Sequence, residues 1–223
     1  MNKMNKALAV TALMAASASA NAVTIGITFG GTNLGAPDNN ATTSVAGATV
    51  INFNAASNTA GCGTIASYGI SGNANIVAGS VGGLYAAPPL ANTTCYLTVP
   101  QNSTSGSAVW NSPGSNNYLG LFWGSIDNYN SLQFLDGSNN VLATVTGAQV
   151  IAAATAFGDQ TAPGSNRYVN LLLTGGTYES VRFISNGYAF EIDNIAYANV
   201  PEPATLGLLG LGLAGIGFAR RRK

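Results

Sequence analysis

Histidine is absent from the 223 residues, and lysine is absent between the two ends of the chain. The first absence excludes Ser-His-Asp and Cys-His nucleophilic catalysis and the usual zinc sites. The second excludes Schiff-base and Ser-Lys mechanisms in the body. Charge is scarce, at 7% of residues. The formal net charge is zero, but six of the eight cations lie at the extremes: Lys3, Lys6, Arg220, Arg221, Arg222 and Lys223. Between residues 23 and 199 only Arg167 and Arg182 face Asp38, Asp127, Asp136, Asp159, Glu179, Glu191 and Asp193, a net charge of −5. Two cations cannot neutralise a row of phosphates, so nucleic acid is excluded as a partner. Cysteine is reduced to Cys62 and Cys95.

What is present is clearest at the two ends. Lys3 and Lys6 precede an apolar run from Ala7 to Ala16, and Ala18-Ser19-Ala20 and Ala20-Asn21-Ala22 are small-x-small sites. Residues 1–22 therefore read as a secretory signal peptide, cut after Ala22 with Ala20 as the alternative. In an oxidising compartment the single cysteine pair, Cys62 and Cys95, reads as a disulfide.

At the other end, Val200-Pro201-Glu202-Pro203 interrupts regular structure, since proline fixes φ and lacks a donor. Residues 204–219 carry no charge, and Arg220-Arg221-Arg222-Lys223 close the chain. As a helix, residues 204–219 span about 24 Å at ~1.5 Å per residue, short of a hydrocarbon core of roughly 30 Å. The cations would stay cytoplasmic. A single transmembrane helix that stops transfer and leaves the body outside is the expectation. This arrangement resembles the PEP-CTERM sorting signal. The resemblance covers residues 200–223. It implies an exosortase, a membrane-embedded transpeptidase-like protease, as processing partner, transient residence in the inner membrane, and a final place at the cell surface or in the extracellular polysaccharide matrix of a Gram-negative bacterium.

The body, residues 23–199, has the length of one domain. Short apolar runs broken by Gly, Asn, Ser and Pro predict an all-β, jelly-roll-like β-sandwich. Strands are expected at 23–29, 49–53, 64–70, 75–81, 95–99, 118–123, 131–135, 141–146, 167–173, 180–184 and 188–197. Residues 101–107 are expected as loop and 112–116 as a turn. Tyr118-Leu119-Gly120-Leu121-Phe122-Trp123 is apolar almost throughout, as in a strand buried on both faces. Asp136-Gly137-Ser138-Asn139-Asn140 reads as a hairpin turn. The alanines of 149–157 predict the body's one helix. In Phe190-Glu191-Ile192-Asp193-Asn194-Ile195-Ala196-Tyr197 the apolar residues pass from even to odd positions, which predicts a β-bulge at Asp193-Asn194.

The stretches Tyr118 to Asn130 (Tyr-x-Gly-Leu-aromatic-Trp-Gly-Ser-x-Asp-x-Tyr-Asn) and Phe190 to Ala196 resemble a family of exosortase-dependent surface proteins. That family implies no catalytic activity to carry over. A non-enzymatic surface protein is the expectation. The alternative is a carbohydrate-binding module, with extracellular polysaccharide as partner and Tyr118, Trp123 and Tyr129 as a stacking platform, since a flat ring covers a sugar's apolar face. Their other reading is core. Calcium is the one candidate cofactor, needing several oxygen ligands; Asp127, Asp136, Glu191 and Asp193 are its candidate ligands. Glu191 and Asp193 stand two apart on one strand, about 7 Å, the spacing of an inverting glycosidase pair. The bulge is expected to disturb that shared facing.

Overall fold

The computed structural model describes residues 23–54, 61–89 and 93–201. Among the described residues fourteen strands form: β1 (Thr24–Phe29), β2 (Thr32–Asn33), β3 (Ala41–Thr42), β4 (Thr49–Ile51), β5 (Ile70–Gly72), β6 (Asn75–Ala78), β7 (Cys95–Val99), β8 (Gly106–Asn116), β9 (Tyr118–Gly124), β10 (Asn130–Leu135), β11 (Val141–Thr146), β12 (Arg167–Thr174), β13 (Tyr178–Ser185) and β14 (Phe190–Ala198). A seven-stranded sheet runs β1-β12-β9-β14-β7-β6, with β4 also pairing β14. A five-stranded sheet runs β11-β10-β13-β8-β5, and β2-β3 is a separate two-stranded ribbon. The protein is an all-β sandwich. From β8 onward the chain passes repeatedly between the two main sheets, so its core is built from residues far apart in sequence.

Alternation decides which side chains meet inside. Leu119, Leu121 and Trp123 of β9, Val169, Leu171 and Leu173 of β12, and Phe190, Ile192 and Ile195 of β14 face Trp110, Leu132, Phe134, Val145, Val181 and Phe183 of the smaller sheet. Burying such a side chain fully stabilises by about 1.5–3 kcal/mol. The other face of β9 is covered too: Phe122 packs with Tyr168 and with Ala41 of the ribbon. All seven residues of β9 are buried, which is why its sequence does not alternate. At Gly120 a Cβ would lie 2.5 Å from the Tyr118 hydroxyl and 2.6 Å from that of Tyr168. Glycine there lets the two tyrosines cross the strand.

The bulge in β14 is present. Its register against β9 shifts between Asp193 and Ala196, and Asn194 has φ 48°. The Asn194 side-chain amide donates to Asn40 Oδ1 at 2.8 Å and to the Ala41 carbonyl at 3.3 Å. The shift falls after Asp193, so Glu191 and Asp193 keep the same facing. The expectation that the bulge would separate them is corrected.

Three local expectations fail. Residues 149–157 are not a helix: a single turn, Gly147–Val150, is capped by Thr146 and Gln149. Ile151 is then extended and Ala154 takes φ 62°. The Ala152 amide donates to Gly164, so long-range contacts outweigh alanine's helix propensity. Residues 64–70 form a 3₁₀ turn at Ile65–Tyr68 before the short strand β5. The turn at 112–116 interrupts a strand and does not end it. Ser180 pairs Asn111 while Tyr178 pairs Asn116, and Asn116 Nδ2 donates to Ser112 Oγ and to the Pro113 and Gly114 carbonyls. Cys62 and Cys95 are joined, with Cα atoms 5.6 Å apart and a sequence separation of 33.

Candidate functional site

The candidate site opens at one pole of the sandwich, where β9 ends and β14 begins. Gly124 pairs Glu191 there. Three segments converge: the β9–β10 turn with Ser125, Asp127 and Tyr129; the β13–β14 turn with Tyr188 and Ala189; and residues 80–86, which fold over the sheet. Gly158 and Gln160 of the long segment between β11 and β12 complete the wall of a cavity of about 300 Å³. Long-range hydrogen bonds set the turns. The Ser125 amide donates to Asn166 Oδ1 at 2.9 Å, the Ile126 amide to Ser165 O at 2.8 Å, and the Gly158 amide to Ile126 O at 2.9 Å. At Gly187 a Cβ would lie 2.6 Å from Tyr129 Cε2, so only glycine lets that turn pack on the Tyr129 ring.

Glu191 forms the floor and is 1% exposed. The Ala86 amide donates to its Oε1 at 2.9 Å and the Ser125 hydroxyl to its Oε2 at 2.7 Å. Burial pushes its carboxyl up to about 7; these two hydrogen bonds oppose the rise and the Asp127 charge adds to it. Burial likewise raises Asp127, which is hydrogen-bonded to the half-buried Tyr129. Burial, then Asp127, hold the Tyr129 phenol above its ordinary range. The single Tyr129 hydroxyl proton is shared between Asp127 and the Tyr188 carbonyl. The cleft thus presents two carboxyls that resist ionisation, three tyrosines (Tyr85, Tyr129, Tyr188), and the polar side chains of Ser80 and Gln160.

Of the stacking residues expected from sequence, only Tyr129 is here. Trp123 is fully buried and stacks on Phe190 with ring centroids 4.3 Å apart. Tyr118 is 3% exposed and lies at the opposite end of β9, its hydroxyl bonded to Asn170 and Thr43. Neither ring can lie against a sugar; both belong to the packed interior, as the continuous apolar run of β9 requires. Tyr85 and Tyr188 were missed. Each follows glycines in a turn (Gly82-Gly83-Leu84-Tyr85 and Asn186-Gly187-Tyr188), and that context was the available signal.

The four candidate calcium ligands do not converge. Asp127 and Glu191 share the cleft. Asp136 closes the β10–β11 hairpin at the other pole, accepting from the Ser138 and Asn140 amides and from Asn140 Nδ2. Asp193 lies beneath Asn40, whose Nδ2 donates to it at 2.9 Å. Among the described residues no group of three or more acids or cysteines is arranged to hold a metal ion. The inferred glycosidase pair shares a strand face but not the cleft: both acids are buried, Glu191 lines the cavity, and Asp193 is covered by Asn40. Asp127 is the acid that joins Glu191.

Ala20, Ala22, Glu202, Pro203, the span 204–219 and residues 220–223 lie outside the described residues. Among those described, no helix is long and apolar enough to cross a membrane. Residues 199–223 match the PEP-CTERM protein-sorting motif. No curated protein matches the chain. Among solved structures, the K2 cleaved adhesin domain of Lys-gingipain is similar at 9% identity and TM-score 0.42, over 68% of this chain and 99% of that one. The K1 adhesin domain of Lys-gingipain from Porphyromonas gingivalis W83 is similar at 11% identity and TM-score 0.32, over 80% and 99%. The enzymatically active domain of tailspike protein 4 from bacteriophage CBA120 is similar at 15% identity and TM-score 0.33, over 61% and 20%. These are distant likenesses.

Proposed function

We propose that this PEP-CTERM, exosortase-sorted surface protein is a non-enzymatic glycan-binding module whose cleft takes a segment of extracellular polysaccharide. The observation that carries this reading is the composition of the cleft: Tyr85, Tyr129 and Tyr188 with Ser80, Gln160 and Asp127. Tyrosine rings offer flat apolar faces edged by hydroxyls, and the amide, hydroxyl and carboxyl groups match sugar hydroxyls. Binding is favoured over catalysis by the state of the acids. Both oxygens of Glu191 already accept from the protein, and Asp127 is engaged with Tyr129.

The test is binding of the processed protein to a panel of immobilised bacterial polysaccharides. Tyr129→Ala should weaken binding at least about tenfold, the loss of about 1.4 kcal/mol, within the range of one stacked ring. Equal binding by Tyr129→Ala and wild type, or no polysaccharide bound at all, would sink the proposal. The competing reading is a carboxyl-pair glycosidase, favoured by the joint elevation of Glu191 and Asp127. It requires steady release of reducing ends that Glu191→Gln abolishes.

A further inference from the structure

The chain leaves the body at the pole opposite the cleft. On β14, Glu191 pairs Gly124 at one end of β9 and Ala198 pairs Tyr118 at the other. One residue, Asn117, links β8 to β9 at that second pole, and it does more than turn the chain. Its backbone amide donates to the Ala198 carbonyl at 3.2 Å, and its own carbonyl accepts from Leu173 at 2.7 Å. Its side chain then reaches two residues further. Nδ2 donates to the Val200 carbonyl at 2.7 Å, and the Val200 amide donates to Oδ1 at 2.7 Å. Asn117 is 6% exposed.

Two opposed hydrogen bonds to the N–H and C=O of one residue are what a neighbouring strand supplies. Here a side-chain amide supplies them, beyond the last residue of β14. The clamp lies beyond the sheet: β14 has ended at Ala198, and Asn199 is exposed. What the clamp does is hold in place the residue immediately before Pro201-Glu202-Pro203.

We propose that Asn117 is a positioning residue for exosortase processing: it pins Val200 so that the sorting motif leaves the body from a fixed point. Recognition of an extended peptide carries the cost of ordering it. A segment already ordered at its upstream end has less of that cost left. The device also fixes polarity, since the tether leaves one pole while the cleft opens at the other.

The experiment is a pulse-chase of the full-length precursor in a host with an intact exosortase. Asn117→Ala should lengthen the processing half-time about tenfold, which converts to about 1.4 kcal/mol, close to the ordering of one residue's backbone. Asn117→Asp keeps an acceptor for the Val200 amide and loses the donor to its carbonyl, so its half-time should fall between. Leu119→Ala serves as control: it weakens the core at the same pole, lowers the melting temperature, and should be processed at the wild-type rate. An independent arm inserts a short Gly-Ser segment between Val200 and Pro201, which leaves clamp and fold intact. It should slow processing as Asn117→Ala does. Wild-type rates in Asn117→Ala or in the insertion, or a slowing in Asn117→Ala no greater than that of Leu119→Ala at equal melting temperature, overturn the proposal.

Discussion

At the scale of single residues, Glu191 shows how position overrides identity. A glutamate on a strand reads as a solvated face. This one is closed over by residues 80–86, and its carboxyl is pushed to about 7 from 4.5 by burial. The folded state therefore holds the proton more tightly than the unfolded chain. Between about pH 4.5 and 7 the native state binds more protons, so stability falls as pH rises through that window and levels off above it. The change is roughly 3 kcal/mol. Glu191→Gln should remove it: the melting temperature of the variant should exceed wild type at pH 8 and match it near pH 4, as read by scanning calorimetry. The Ser125 hydroxyl can rotate to accept from the new amide. Asp136 and Asp159 act in the opposite sense. Hydrogen bonds from Asn140 and from the Thr161 amide, respectively, hold them below the usual carboxylate range, so their contribution is lost on acidification. Tyr118, Trp123 and Tyr129 lie within one stretch of sequence, yet only Tyr129 reaches the cleft. The first two sit on a strand covered on both faces, and the third on the turn after it.

At the scale of elements, the disulfide and the bulge each do a defined job. Cys62–Cys95 ties the segment before β5 to the start of β7. Closing a loop of this length restricts the unfolded chain by about 3–4 kcal/mol. Replacing both cysteines by alanine should lower the unfolding free energy by about that amount and steepen the slope in urea denaturation, because the uncrosslinked unfolded chain exposes more surface. The bulge lets β14 bury Phe190 and Ile192 on one side of the shift and Ile195 on the other. Its even-to-odd change of apolar positions was legible because β alternation is a local, two-residue rule. The helix expected at 149–157 was not excluded by any local rule. Alanine favours a helix when nothing else competes, and here contacts from Gly164 and the cleft wall compete. Strands β9, β12 and β14 were legible within a residue or two, because their apolar runs are long and bounded by Gly, Asn and Ser.

At the scale of the whole molecule, tether and cleft lie at opposite ends of the same strands. The cleft-bearing pole is the one farther from Val200, the residue that precedes Pro201-Glu202-Pro203. The sorting motif at residues 199–223 makes a direct prediction about the route. Deleting the exosortase gene of the producing host should leave the protein membrane-associated with its tail intact, seen by fractionation and by mass of the C-terminal peptide. Release at the wild-type rate from that strain would contradict sorting by this signal.

Taken alone, the amino-acid sequence determined the all-β class, the disulfide partners, the bulge and the sorting tail. Each rests on a short-range regularity: alternation, a lone cysteine pair, or the ordered succession of prolines, apolar span and cations. Only the tertiary structure decided which acids share a cleft, which aromatics are core, and that Asn117 grips Val200 across 83 residues of chain. Those outcomes depend on which strands become neighbours and which turns close over them. That is set by packing between distant segments, and no window of sequence contains both partners.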